Sequence, residues 1–107
     1  MVKSIFAWHV TPTVNVDSIL KFGLKPNSPE PDGDLAISLF KTKEDALTQT
    51  NLWLRKKWNN QSLTLLQIDV TGIPLTETFP YELITTSTDN IDSIRILVSL
   101  EIHYSTS

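Results

Sequence analysis

The sequence predicts an α+β domain built on a mainly antiparallel sheet, and three observations carry that prediction. Stretches with strand character outnumber those with helical character, and the late ones follow one another without helical crossovers. The 107 residues suit one domain, residues 1–107, with a core of its own. Apolar residues make up 40% and charged residues 20%, the balance of a folded chain rather than a disordered one.

Ser4 to His9 is rich in β-formers, with Ile5, Phe6 and Trp8, and reads as a strand. Thr11-Pro12-Thr13 suits a helix start, since proline fits a first helical turn and threonine can cap one. Val16, Ile19 and Leu20 follow at the i, i+3, i+4 spacing of a helical stripe. Gly23 closes that helix, expected over Pro12–Phe22, because glycine takes the left-handed conformation cheaply. Pro26, Pro29, Pro31 and Gly33 make Pro26–Asp34 a loop. Leu35–Phe40 reads as a buried strand. Lys43–Trp58 is the second main helix. Thr42 can cap it, Glu44 and Asp45 lie in its first turn, and Arg55, Lys56 and Lys57 lie in its last, the order the helix dipole favours. Ala46, Leu47, Thr50, Leu54 and Trp58 supply its inner face. Asn59–Ser62 is a polar turn, and Leu63–Val70 is a strand ended by Gly72 and Pro74. Leu75–Tyr81, with two prolines nearby, reads as a connection, Glu82–Thr86 as a short strand and Ser87–Asp92 as a turn. Ser93–Tyr104 alternates as a long strand, with Ile94, Ile96, Val98, Leu100, Ile102 and Tyr104 on one face.

Much chemistry is excluded by composition. The absence of cysteine removes disulfide scaffolds, thiolate zinc sites and cysteine nucleophiles, and fits a reducing compartment. The apolar runs are too short to cross a bilayer, and the first residues do not read as a signal peptide. The expected location is the cytoplasm, with no membrane partner. A net charge of −3 argues against broad nucleic-acid binding. Arg55-Lys56-Lys57 with Trp53 and Trp58 is a local exception, since cations neutralise phosphate and indoles stack on bases. The competing explanation is a cation-stabilised helix end with its tryptophans in the core. No close cluster of metal ligands occurs, no G-x-S-x-G elbow and no P-loop, and three glycines cannot build G-x-G-x-x-G.

Two titratable residues remain. His9 ends the first strand just ahead of a helix, a place where folds carry sites. Glu82 opens a short strand beside Leu83 and Ile84, where a half-buried carboxylate must find a partner. His103, on the polar face of the last strand, reads as solvated.

These two fall within a wider pattern. Trp8-His9-Val10-Thr11, then Asn15 and Ile19-Leu20-Lys21-Phe22-Gly23-Leu24, resemble the start of the ADP-ribosyltransferase fold. In its poly(ADP-ribose) polymerase-like and related branches, tryptophan or tyrosine precedes histidine, glycine and serine or threonine. A helix ending in isoleucine-leucine-x-x-glycine-leucine follows. Gly33 to Ala46 sits where the family carries its second motif, a strand with a tyrosine, then small hydroxyl residues and a helix. Glu82-Leu83-Ile84-Thr85-Thr86, a polar turn and Ile94-Arg95-Ile96-Leu97-Val98 resemble the third, a strand opening with the catalytic glutamate and then a final long strand. Order and spacing hold over most of the chain.

The resemblance implies a split, mainly antiparallel sheet with two main helices and NAD⁺ bound as a substrate in the cleft. His9 would hydrogen-bond the adenosine ribose. The main chain at Val10 would hold the nicotinamide amide and the Ser38 region would flank the nicotinamide, with Thr11, Asn15 and Phe40 also among the residues binding the dinucleotide. Glu82 would grip the 2′-hydroxyl of the nicotinamide ribose. The loop Pro26–Asp34 would lie over the dinucleotide. The product would be ADP-ribose on a macromolecular acceptor, protein or nucleic acid. The sequence departs from the pattern in three places: Val10 stands where the family has glycine, Ile37 or Ser38 where it has tyrosine, and the loop over the dinucleotide is short. A stacking wall would then have to come from elsewhere, with Phe40 and Trp53 as candidates, or be missing. Two other readings stay open on the same fold: a catalytically silent module for a nucleotide or protein, and RNA 2′-phosphotransferase-like chemistry.

Overall fold

In the computed structural model, which describes residues 5–25, 28–29, 35–85 and 90–102, the chain is organised around one strand, β1 (Phe6–Pro12). A 3-10 turn at Thr13–Asn15 leads into helix α1 (Val16–Phe22). Strands β2 (Ser28–Pro29) and β3 (Leu35–Ala36) pair with each other, and β4 (Ser38–Phe40) follows. Helix α2 (Lys43–Gln49) runs on through a π-helical turn at Thr50–Leu54 into α3 (Arg55–Lys57). Then come β5 (Leu63–Asp69), the hairpin of β6 (Leu75–Phe79) and β7 (Glu82–Thr85), a 3-10 turn at Ser93–Arg95, and β8 (Ile96–Ile102). The result is an α+β domain. Six antiparallel strands lie in the order β6-β7-β4-β1-β5-β8, with helical segments packed against them. No helix among the described residues is long and apolar enough to cross a membrane.

The sheet separates two apolar cores. On the α1 side lie Ala7, Leu24, Ile37, Leu39, Leu66 and Ile68, with Ile19 of α1 against them. On the α2 side Val10, Phe40, Leu63 and Leu65 meet Ala46 and Leu54. Successive strand residues point to opposite faces, so Leu65 and Leu66 are both buried but in different cores. Gly23 ends α1 at φ 85°, its N–H donating to the Ile19 carbonyl at 2.7 Å. A Cβ there would strike the Ile91 carbonyl, because Leu24 pairs with Ile91 alongside.

Five boundaries differ from expectation, each for a local reason. β1 runs through Pro12, so α1 begins at Val16. The Ile5 carbonyl accepts from Val70 N–H and Thr13 N–H donates to the Ser62 carbonyl, so odd-numbered residues of β1 face β5. Pro12 is even, and its missing N–H costs that ladder nothing. Leu35–Phe40 breaks at Ile37: Leu35–Ala36 pair with β2, while Ser38–Phe40 join the main sheet. Leu75–Phe79 is an edge strand rather than a connection, since Pro74 and Pro80 both fall just outside it. The second helix contains a π turn, where Thr50 Oγ1 donates to the Ala46 carbonyl at 2.7 Å and Arg55 N–H reaches back to Thr50. β8 starts at Ile96 because Asp92 accepts from Ile94 N–H and holds the 3-10 turn. A bulge at Gln67/Ile68 then shifts the register, so Ile96 joins the α1-side core while Ile102 joins the other. The expected one-face stripe of the last strand is therefore divided. Ser4, Thr86 to Asp89, His103, Tyr104 and all of the Pro26–Asp34 loop except Ser28–Pro29 lie outside the described residues.

Candidate functional site

The site is built at the junction of β1 and β4. β1 and β5 pair from Phe6↔Asp69 to Pro12↔Leu63 without a break. β1 and β4 share one registered pair, Trp8↔Phe40. The sheet therefore has a seam between its β6-β7-β4 half and its β1-β5-β8 half.

Backbone polarity at the seam follows from alternation. Odd residues of β1 serve β5, so the N–H and C=O of Trp8 and Val10 point toward β4. On β4, the Ile37 carbonyl accepts from Thr85 N–H and Lys41 N–H donates to the Tyr81 carbonyl. Ser38 and Phe40 accordingly turn their polar groups to β1. The His9 ring enters here, with Nδ1 2.8 Å from the Ser38 carbonyl oxygen. A carbonyl only accepts, so Nδ1 carries the hydrogen and Nε2 of the neutral ring keeps a lone pair. Burial pushes the imidazole below its usual range. The bond to Ser38 opposes that shift, and the Lys57 ammonium adds to it. The ring is neutral at pH 7 and staples the two halves of the sheet.

Phe40 is the hub of the seam. Its Cα lies opposite Trp8 on one side and Glu82 on the other, so β1, β4 and β7 line up in one row. Its ring is buried and stacks on Tyr81 at 6.5 Å, and Tyr81 stacks on Phe79 at 5.5 Å. Glu82 opens β7, half-buried, and its Oε1 accepts from Thr78 Oγ1 at 3.1 Å.

The structure thus brings His9 to Ser38, and Glu82 to Phe40. It does not bring the two titratable groups into direct contact. Leu83 packs in the α1-side core, so its neighbour Glu82 leaves β7 on the α2 side. Trp8 and Val10 pack in the α2-side core, so His9 leaves β1 on the α1 side before its ring reaches the seam. Val10 is buried and offers its main chain alone. Thr11 is buried and serves β5 opposite Thr64. Asn15 is exposed at the head of α1 and does not cap it.

No protein-family model matches the chain, and no curated protein matches its sequence.

Three contributors were not singled out from sequence: Trp8 as the seam pair, Thr78 as the partner of Glu82, and Tyr81 as the support for Phe40. The signal for the last two was Phe79-Pro80-Tyr81, in which aromatics flanking a proline mark a tight hairpin. Among the described residues no three His, Asp or Glu side chains gather to hold a metal ion.

Proposed function

We propose that this chain binds NAD⁺ at the β1–β4 seam and transfers ADP-ribose to a macromolecular acceptor, as an ADP-ribosyltransferase-like protein with a split sheet. The observation that carries the reading is the row of strands β1-β4-β7. Three segments far apart in sequence, carrying His9, Ser38 and Glu82, line up in one row there, with His9 and Glu82 leaving the sheet on opposite faces. The seam supports a cleft, since β1 and β4 share one registered pair while the Val10 main chain faces it. The neutral His9 ring supports ribose binding, because its Nε2 can accept from a hydroxyl. The lack of cysteine supports a reducing, cytoplasmic setting.

The chemistry needs no metal. The bond from ribose C1′ to the nicotinamide nitrogen breaks, and nicotinamide leaves with the electron pair. A nucleophile on the acceptor, or water, forms the new bond to C1′ and gives up its proton. Positive charge grows on the ribose in between. A carboxylate bonded to the 2′-hydroxyl stabilises that charge more than it stabilises the ground state. Holding the nicotinamide amide on main-chain groups fixes the leaving group's orientation.

The test is nicotinamide release from NAD⁺ in the presence of cell lysate. Glu82→Gln is expected to lower the rate by roughly 10²- to 10³-fold while leaving calorimetric NAD⁺ binding in place. Equal rates in both proteins overturn the assignment.

One observation favours a second reading, a silent NAD⁺- or nucleotide-binding module. Glu82 is held by Thr78 of its own hairpin and leaves the sheet on the face opposite His9. Under that reading calorimetry shows binding and no nicotinamide is released from either protein.

A further inference from the structure

The end of the second helix carries chemistry that the seam does not use. Between Asp45 and Asp69 the sequence has no acidic residue but has Arg55, Lys56 and Lys57, in a chain whose net charge is −3. Lys56 and Lys57 are exposed. The Lys57 ammonium lies 5.7 Å from the Trp53 ring centroid and 5.2 Å from that of Trp58. The π turn sorts this surface: Thr50 and Leu54 face the core, while Trp53 stands 41% exposed. Its indole is held in place by Nε1–H donating to Gln49 Oε1 at 2.6 Å. The turn beyond the helix adds exposed amides at Asn59 and Asn60, both in the left-handed region at φ 51° and 59°.

A helix dipole accounts for cations at this end. It does not account for an oriented indole left part-exposed beside them, nor for the absence of any acid over this stretch. Cations interleaved with aromatic faces and amide donors match one ligand chemistry best, a flexible polyanion that carries flat rings. We propose that the surface formed by Trp53, Lys56, Lys57 and Asn59, beside Trp58, which is half-buried against the α2-side core, binds single-stranded nucleic acid. Phosphates pair with the two lysines and an unpaired base stacks on Trp53. Duplexes present no free base faces and bind through charge alone. The proposal goes beyond the NAD⁺ reading and does not depend on it, since its contacts are made by residues of the second helix and the turn after it, although Lys57 also lies within electrostatic reach of His9.

The test is fluorescence anisotropy of the full chain with labelled oligo(U) of about 12 nucleotides, across a salt series starting near 50 mM. Two phosphate contacts give a log–log salt slope of about −1.4, and the Lys56→Ala/Lys57→Ala double variant is expected to flatten it almost completely. Trp53→Phe keeps a ring and is expected to retain most of the affinity, while Trp53→Ala loses roughly 5- to 100-fold. Lys41→Ala, a cation on the other half of the sheet, is the matched control and changes nothing. Circular dichroism of each variant separates misfolding from lost contacts. The proposal is overturned by any of three results: no salt-dependent binding by the wild type, equal affinity for a duplex of the same length, or equal competition by poly-glutamate, which would mark the patch as a generic anion or acidic-protein surface. Because no NAD⁺ is present, failure here leaves the seam reading untouched, and loss of nicotinamide release in Glu82→Gln leaves this one untouched.

Discussion

Strand β1 has two neighbours and treats them differently. Toward β5 it runs a complete ladder, with Ile5 to Val70 and Thr13 to Ser62 extending the pairing at either end. Toward β4 it keeps Trp8↔Phe40, and the His9 imidazole takes the Ser38 carbonyl. A backbone ladder is repetitive and insensitive to side-chain identity. A seam closed by one ring depends on that ring's tautomer, charge and size. The comparison places stability in the β1-β5-β8 half and adjustable chemistry at the junction with the other.

The largest effect is expected in the stable half. Leu66 is fully buried opposite His9 on β5, so Leu66→Ala should lose about 2–5 kcal/mol of unfolding free energy in urea titration. A loss below about 1 kcal/mol would show that this half is more plastic than its ladder suggests.

His9→Ala comes next. It strands the Ser38 carbonyl at the seam and should cost about 1–3 kcal/mol. Amide exchange should quicken at Ser38–Phe40 and stay unchanged along Leu63–Asp69. Equal quickening on both sides of β1 would contradict the staple.

The same ring predicts a pH dependence. Its folded pKa lies below the ordinary 6.5, mainly through burial, so below pH 6.5 the unfolded chain binds the proton first. Stability is therefore fully present above 6.5 and falls as pH drops through the lowered folded value. Urea midpoints measured from about pH 7.5 to about pH 5.5 should fall in the wild type and fall less in His9→Gln.

Smaller effects follow outside the seam. Thr42 Oγ1 accepts from Asp45 N–H at 3.0 Å, so Thr42→Ala should destabilise α2 by about 1 kcal/mol, read as a lower Tm. The Lys41–Glu77 pair, 2.8 Å long and partly solvated, should contribute less than about 1 kcal/mol, and that contribution should vanish in high salt.

The fold class was legible because it depends on local signals. Val16, Ile19 and Leu20 with Gly23 marked α1, and Thr42 with the charge order marked α2, where Asp45 N–H does bond Thr42. Proline misled twice, at Pro12 and beside β6, because its cost depends on which side of a strand the missing N–H faces, and only pairing decides that. The π turn was invisible in the sequence, since a single i→i+5 step, here Arg55 N–H to the Thr50 carbonyl, leaves no periodic pattern. His9 and Glu82 could be picked out as titratable groups at strand ends. Their positions on opposite faces could not, since a strand's face is set by register with neighbours distant in sequence. The pairing role of Trp8 and the stacking role of Tyr81 were missed for the same reason, as each depends on a partner supplied by another strand.

Hydrogen exchange with and without saturating NAD⁺ tests the central claim most directly. The account predicts slowed exchange at Trp8–Val10 and Ser38–Phe40, with β5 and β8 unchanged. Unaltered exchange at those residues, or protection confined to another part of the sheet, would contradict it.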